Sequence, residues 1–145
     1  MSLLNGLADA LPGGSARRPV LMLALGAFAL GTDAFVISGV LPKIASDLGV
    51  TLPQAGLLIT VFSGVYAFAA PVMAVVTGTA SRRRILMVSL AFFTGANVLA
   101  AVAGSFGMMI VARAAAALVA GLYMPAASAT AATVAPLSER GRALA

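Results

Sequence analysis

The stretch GTDAFVISGVLPKIASDLGV, residues Gly31–Val50, places one carboxylate, Asp33, inside a run with no other charge that extends from Pro19 to Leu41. A charged side chain at the centre of a bilayer costs about 3 kcal/mol on insertion scales. Asp33 therefore needs a cationic partner, a water-filled cavity or a bound proton. Each of these three solutions makes Asp33 a candidate for function.

The composition around this stretch is typical of an integral membrane protein. Of the 145 residues, 61% are hydrophobic and 9% are charged, whereas a soluble domain has about 25% charged residues. The chain has no Cys and no His, which removes disulfides and most transition-metal sites. It has neither a Gly-rich phosphate loop nor a serine-nucleophile motif, so we expect no enzyme activity and no cofactor. The basic residues lie in short clusters between apolar runs, a pattern that does not favour a nucleic-acid partner.

Four apolar runs are long enough to cross a membrane. Crossing about 30 Å of hydrocarbon takes about 20 helical residues at 1.5 Å each. The runs predict an all-α membrane protein with four transmembrane helices, and a buried soluble bundle would need polar faces that they lack. The predicted helices cover about residues 19–41, 54–77, 85–103 and 108–134, after a polar lead over residues 1–18 and with loops at 42–53 and 78–84.

The basic residues predict the orientation of these helices. Basic loops stay in the cytoplasm, so both termini are predicted to be cytoplasmic, in a cell membrane that is a bacterial inner membrane. Lys43 alone falls on the outer side. The residues on the inner side are Arg17, Arg18, Arg82, Arg83, Arg84, Arg140 and Arg142.

Two of these basic clusters have an alternative interpretation. Arg17 and Arg18 loosely resemble a twin-arginine export signal, but the apolar run that follows is too long for a signal peptide and precedes three more spans. The segment GTASRRR, residues 78–84, would also suit an anionic lipid surface. Setting the topology is the simpler role for both clusters.

Arg113 is the second charge that lies well inside a predicted span. Asp33 is eight residues, about 12 Å, below the outer end of helix 1, and Arg113 is six residues, about 9 Å, below the outer end of helix 4. Opposite charges at matched depth can pair, which lowers the cost of burying both. The alternatives are that Arg113 extends its side chain to the outer headgroups, and that Asp33 is protonated or structurally paired without a functional role.

Other polar side chains are weaker candidates for a site in the membrane. Lone hydroxyl groups usually bond to the backbone of their own helix. Three larger polar residues remain candidates for lining a cavity, and they are Tyr66, Asn97 and Tyr123.

The segments TDAFVISGVLPKIA, residues 32–45, and ERGRALA, residues 139–145, resemble the first part of a major facilitator superfamily transporter. The closest likeness is to bacterial drug:proton antiporters of the arabinose- and chloramphenicol-efflux type. The resemblance implies that helices 1 and 4 line one central cavity shared by Asp33 and Arg113. It further implies a drug, sugar or other small molecule as substrate and a proton gradient as the energy source, with Asp33 as a protonation or substrate-contact site.

This sequence departs from the family's motifs at three positions. Arg113 matches the arginine of the helix-4 motif, but Ala116 and Ala117 stand where Gln and Gly are expected. In the loop between helices 2 and 3, Gly78 and Arg83 match the family. Arg82 stands where an aspartate is expected, which puts in doubt the gating contact that this aspartate makes.

The resemblance also implies that four helices are an incomplete transporter. Family members have about twelve helices in two halves of six, so this chain would be the first part of the N-terminal half, with the missing C-terminal helices as its partner. Two alternatives are a self-contained four-helix small multidrug exporter that acts as a dimer, and a membrane anchor or assembly partner that transports nothing. An open reading frame that continues past Ala145 with about eight more spans would favour the transporter, and a stop codon would favour the alternatives.

Overall fold

Four helices make up the computed structural model, which describes residues 17–76 and 80–134. Each helix is long and apolar enough to span a membrane, which confirms the predicted fold class. The helices are α1 (Arg17–Asp47), α2 (Leu52–Val76), α3 (Arg82–Ala101) and α4 (Phe106–Val134). Most of the polar lead, Gly78 of the loop motif and the segment after Val134 lie outside the described residues.

Helix α1 is longer than predicted, because it continues past Leu41 and contains Pro42. The prediction took Pro42 as the start of a loop. The helix instead ends after Asp47, which pairs with Lys43 across one turn at 2.9 Å. Gly49 follows with a φ of 62°, and the Val50 N–H donates to the Ala45 carbonyl at 3.0 Å. This is a Schellman cap, which favours glycine at the left-handed position.

Helices α2 and α4 begin with side-chain caps that the sequence supplies. The Thr51 N–H donates to Gln54 Oε1 at 2.9 Å, and the Gln54 N–H donates to Thr51 Oγ1 at 3.4 Å. This reciprocal pair is a capping box. Pro53 is tolerated because first-turn N–H groups have no partner within the helix, so the predicted loop shortens from both sides. At α4, the Met108 N–H donates to Ser105 Oγ at 3.3 Å.

Helix α3 also begins earlier than predicted. Arg82, Arg83 and Arg84 were assigned to a loop, and the structure places them in the first turn of α3, where all three are exposed. Three cations near a helix N-terminus oppose the helix dipole. Their position at the end of a span, rather than helix stability, explains them best.

Helix α4 is the centre of the bundle. It packs most extensively against α2 and α3, while α1 packs against α2 and α4 over a smaller area. Its inward side is built from small residues, and these let neighbouring backbones approach closely. The fully or nearly buried members of this side include Ala112, Ala116, Ala117, Ala120, Ala127 and Ala131.

The outside of the bundle is apolar. Large hydrophobic side chains that would be buried in a soluble protein are exposed, including Phe28, Phe68, Val75 and Phe92. Lipid tails are as apolar as these side chains, so a membrane protein can expose them without cost.

Candidate transport site

Asp33 and Arg113 form an ion pair between α1 and α4, in which Arg113 is buried and Asp33 is half-buried. Arg113 Nη1 donates to Asp33 Oδ2 at 2.8 Å, and the two side chains are 18% and 4% exposed for Asp33 and Arg113 respectively. The pairing predicted from matched depth is therefore present. The alternative in which Arg113 extends to the headgroups does not describe this structure.

An aromatic ring covers one face of the Arg113 guanidinium. The guanidinium carbon lies 4.5 Å from the centroid of the Phe62 ring on α2. A cation over an aromatic face is attracted by the ring quadrupole, by about 2 kcal/mol where water is excluded. Phe62 in turn stacks on Tyr66, with centroids 6.4 Å apart and ring planes 4° apart. Three helices thus meet at Arg113.

The hydrogen-bonding capacity of Arg113 is not used up. Its Nε and Nη2 atoms are buried and have no hydrogen-bond partner among the described residues. A guanidinium has five N–H donors, and the contact with Phe62 compensates only part of this loss. The cation is consequently held by one carboxylate and one ring. Loss of the carboxylate would leave the buried guanidinium without an opposite charge.

A cavity of about 430 Å³ opens beside the ion pair. Its wall is mainly apolar and aromatic, and Arg113 is the charged residue that the wall contains within the described part of the chain. A mostly apolar cavity with few placed polar groups is the usual form of a small-molecule site. The lining residues come from α1, α2 and α4, and they are Leu30, Gly31, Ala34, Phe35, Ser38, Ile59, Phe62, Ser63, Tyr66, Arg113, Ala120 and Met124.

The three weaker candidates lie in three different surroundings. Tyr66 lies in the wall of the cavity described above. The Asn97 amide donates to the Phe93 carbonyl of its own helix at 3.0 Å and does not reach the cavity wall. Tyr123 is buried between α1 and α4 and donates to the Leu23 carbonyl at 3.1 Å. The hydroxyls of Thr94 and Thr130 also bond to their own helices.

Phe62 is the site residue that the sequence analysis missed. It lies one turn before Tyr66, so the two share a face of α2. That spacing was available in the sequence. The contact with Arg113 depends on how α2 and α4 are rotated about their axes, which hydropathy does not specify.

The fold and the site together define a class, namely a multi-pass membrane protein with an ion pair between two spans, of which the arginine lines a cavity. The family model for the Major Facilitator Superfamily matches residues 23–145. The chain belongs to this superfamily. That assignment separates it from the small multidrug exporters, and it supports the resemblance seen in the motifs around Asp33 and Arg113.

Curated relatives agree with this assignment. The chain is 41% identical to the uncharacterized MFS-type transporter YbcL of Bacillus subtilis, over 87% of this chain and 32% of the relative. It is 37% identical to a chloramphenicol resistance protein of Streptomyces lividans, over 88% and 32% of the two chains. It is 35% identical to the inner membrane transport protein YdhP of Escherichia coli K12, over 88% and 33%. The chain thus spans about a third of the length of these relatives.

Proposed function

We propose that the chain forms the cavity-lining first part of a secondary transporter that exports small molecules in exchange for protons. The observation that carries this proposal is the Asp33–Arg113 ion pair, whose arginine lies in the cavity wall. Ionisable residues inside a membrane usually serve substrate or ion pathways. Asp33 is the exchangeable site and Arg113 is its charge partner. The proton gradient supplies the energy, and no cofactor takes part.

Competition for the Asp33 carboxylate makes a proton and a substrate exclude one another. An ionised Asp33 accepts a hydrogen bond from Arg113 at 2.8 Å, and it can equally accept from a substrate that brings N–H or O–H donors. A proton that binds Asp33 Oδ2 removes the negative charge that holds these donors, so the substrate is released. When the proton leaves, the carboxylate can hold a donor again. Proton and substrate therefore occupy the site alternately, as antiport requires.

The cavity wall also supports the proposal that further helices of the same transporter complete the site. Phe35 is 81% exposed although it lines the cavity. An exposed aromatic side chain at the wall of this cavity suits a contact with substrate or with another helix. The missing helices would bring most of the groups that choose the substrate.

The carboxylate of Asp33 should be required for coupling to the proton gradient. Asn has the same shape but cannot ionise, so Asp33→Asn should insert normally and lose pH-gradient-driven efflux. The assay is uptake into everted vesicles that contain the intact transporter, with chloramphenicol as the probe because one relative is named for resistance to it. The matched control is Asp47→Asn, an exposed carboxylate on the same helix, which should transport normally. Gradient-driven uptake by Asp33→Asn at the wild-type rate would remove Asp33 from the mechanism.

We also propose that α1 begins on the cytoplasmic side, as the basic residues indicate. The chain has no cysteine, so single cysteines can be introduced in the connections that flank α3, at Ser81 before it and at Ser105 between α3 and α4. A cysteine at Ser81 should be protected from a membrane-impermeant maleimide added to intact cells, and one at Ser105 should be labelled. The reverse pattern would invert the topology.

A further inference from the structure

Tyr123 makes the second polar contact between α1 and α4. Its side chain is 1% exposed, and it is one of the largest fully buried side chains in the described part of the protein. Its hydroxyl donates to the backbone carbonyl of Leu23 at 3.1 Å. A carbonyl has two lone pairs, so this bond adds to the intrahelical bond of Leu23. The sequence analysis placed Tyr123 at a cavity, but its hydroxyl points into the α1 backbone.

The contact is possible because Gly26 has no side chain. A Cβ atom at Gly26 would overlap the Tyr123 hydroxyl and lie 2.6 Å from the ring carbon that carries it. Other glycines of α1, such as Gly39, have no atom within 4 Å of the corresponding position. Gly26 is therefore the place on α1 where this ring fits.

The two polar contacts, Arg113–Asp33 and Tyr123–Leu23, are consistent with a single alignment of α1 against α4. Leu23 precedes Asp33 by ten residues, and Tyr123 follows Arg113 by ten residues. Consecutive spans alternate in direction, so α1 and α4 are antiparallel, and both contacts belong to one alignment of the two helices. They lie about 15 Å apart along the seam. Between them are Leu30 of α1 and the small residues Ala116 and Ala120 of α4, all in one buried cluster.

The small packing area of α1 makes these contacts important for its position. Helix α1 packs less extensively than α2 and α3 do against α4, and smooth contacts with alanines resist sliding poorly. A slide of one residue, about 1.5 Å along the helix axis, would stretch the 2.8 Å contact between Arg113 and Asp33, which runs across the seam, to about 3.2 Å, the upper end of the hydrogen-bond range. A slide of two residues would take it to about 4.1 Å, beyond that range.

We infer that Tyr123 is a positioning residue, which locks the register of α1 against α4 and so holds the Asp33 carboxylate within reach of Arg113. Its hydroxyl supplies a directional hydrogen bond to the α1 backbone, and the absence of a side chain at Gly26 leaves the space that its ring occupies. The role of this lock in proton coupling rests on the proposed function. The lock itself is a property of the helix pair and does not depend on it.

Two variants break the lock in different ways. Tyr123→Phe keeps the ring and removes the hydrogen bond, and its control is Ser89→Ala, which removes a buried hydroxyl that has no partner among the described residues. Gly26→Ala puts a methyl group where the hydroxyl lies, and its control is Gly39→Ala on the same helix. Both glycine changes raise helix propensity equally, so a difference between them reports the contact.

The first readout is the coupling between Asp33 and Arg113 in the intact protein in detergent. This coupling is the extent to which the effects of Asp33→Asn and Arg113→Gln on the midpoint of thermal unfolding fail to add. It is measured in the wild-type background and again in the Tyr123→Phe and Gly26→Ala backgrounds. We expect the coupling to fall to roughly half or less in the Tyr123→Phe and Gly26→Ala backgrounds and to stay unchanged in both controls. A purely structural tyrosine would lower the midpoint and leave the coupling intact, and that result would overturn the inference.

The second readout is the pH profile of transport, which separates this inference from the proposed function. A lost register should shift the profile in Tyr123→Phe and leave it in place in Ser89→Ala. If the coupling falls but the profile of Asp33→Asn equals that of the wild type, the lock stands and proton coupling at Asp33 fails. If the coupling and the profile are both unchanged in Tyr123→Phe, the lock fails and the proposed function is untouched. Should Gly26→Ala not insert, Tyr123→Phe alone decides, because it removes one oxygen atom and adds no bulk.

Discussion

At the scale of single residues, two different interactions offset part of the cost of burying Arg113, namely an ion pair and a cation–π contact. Asp33 supplies an opposite charge at 2.8 Å, and Phe62 supplies the face of a ring at 4.5 Å. The exposed pair Lys43–Asp47 has nearly the same N–O distance, 2.9 Å, but its side chains are 78% and 55% exposed. Because water screens exposed charges, the exposed pair contributes little to stability. In the Asp33–Arg113 pair, removing one partner would leave the other charge uncompensated, which is strongly destabilising.

The ring of Phe62 should stabilise Arg113 beyond its packing. Phe62→Leu keeps an apolar side chain and removes the aromatic face, so we expect a loss of about 1–2 kcal/mol in the free energy of unfolding. The matched control is Phe68→Leu on the same helix, where the ring is 80% exposed and the change should be near zero. The loss at Phe62 should shrink when Arg113→Gln is also present. An equal loss in both backgrounds would mean that Phe62 acts through packing alone.

The sequence predicts part of this site, and the reason is geometric. The depth of a residue in the membrane follows from counting along a helix, which is how Asp33 and Arg113 were matched. The direction of a side chain around the helix axis depends on packing. For this reason Phe62 was missed, and Asn97 was placed at a cavity although it bonds to its own helix.

At the scale of the elements, the central position of α4 follows from its small residues. Gly121 lies against α2 so closely that a Cβ there would be 2.8 Å from Ala69 Cβ and 3.0 Å from the backbone nitrogen of Ala70. Alanines on the same side of α4 are buried along most of its length. Close contact of this kind fixes α2 and α4 as one unit, onto which α1 is placed by its polar contacts.

Adding a methyl group at Gly121 should separate α2 from α4. We expect Gly121→Ala to lower the free energy of unfolding by about 1–3 kcal/mol, because overpacking forces the two backbones apart. Gly95→Ala on α3, where nothing lies within 4 Å of a new Cβ, should be neutral or stabilising. The measurement is thermal unfolding in detergent. Equal stability of the two variants would show that the α2–α4 contact tolerates the methyl group.

The helix ends show where local sequence signals mislead. Four apolar runs were sufficient to predict four spans, but Pro42 and Pro53 were taken as loop residues and both lie in helices. Proline is tolerated in the first turn, as at Pro53. Around Pro42 the helix is extended by the Lys43–Asp47 pair and by the cap at Gly49. The caps were present in the sequence as T-x-x-Q and as a glycine, and they mark these boundaries better than proline does.

At the scale of the whole molecule, an ion pair and the Tyr123 hydrogen bond connect the less extensively packed α1 to the group of α2, α3 and α4. The cavity lies at that junction, between α1, α2 and α4. Under the proposed function, helices would have to rearrange at this junction around a bound substrate. An ion pair that a single proton can break, such as Asp33–Arg113, is suited to a contact between helices that rearrange.

The measurement that tests this account most directly is a double-mutant cycle on Asp33 and Arg113, read as thermal stability of the intact protein in detergent or lipid. Removing one partner of a buried pair typically costs about 3–5 kcal/mol, because the other charge is left uncompensated. Removing both should cost less than the sum of the two single changes. Because Arg113→Gln also removes the charge that Asp33→Asn leaves uncompensated, the double variant should be more stable than Asp33→Asn alone. The exposed pair is the control, and Lys43→Gln with Asp47→Asn should show a coupling of about 0.3–0.5 kcal/mol. Strictly additive effects at Asp33 and Arg113, or a coupling no larger than that of the exposed pair, would contradict the account.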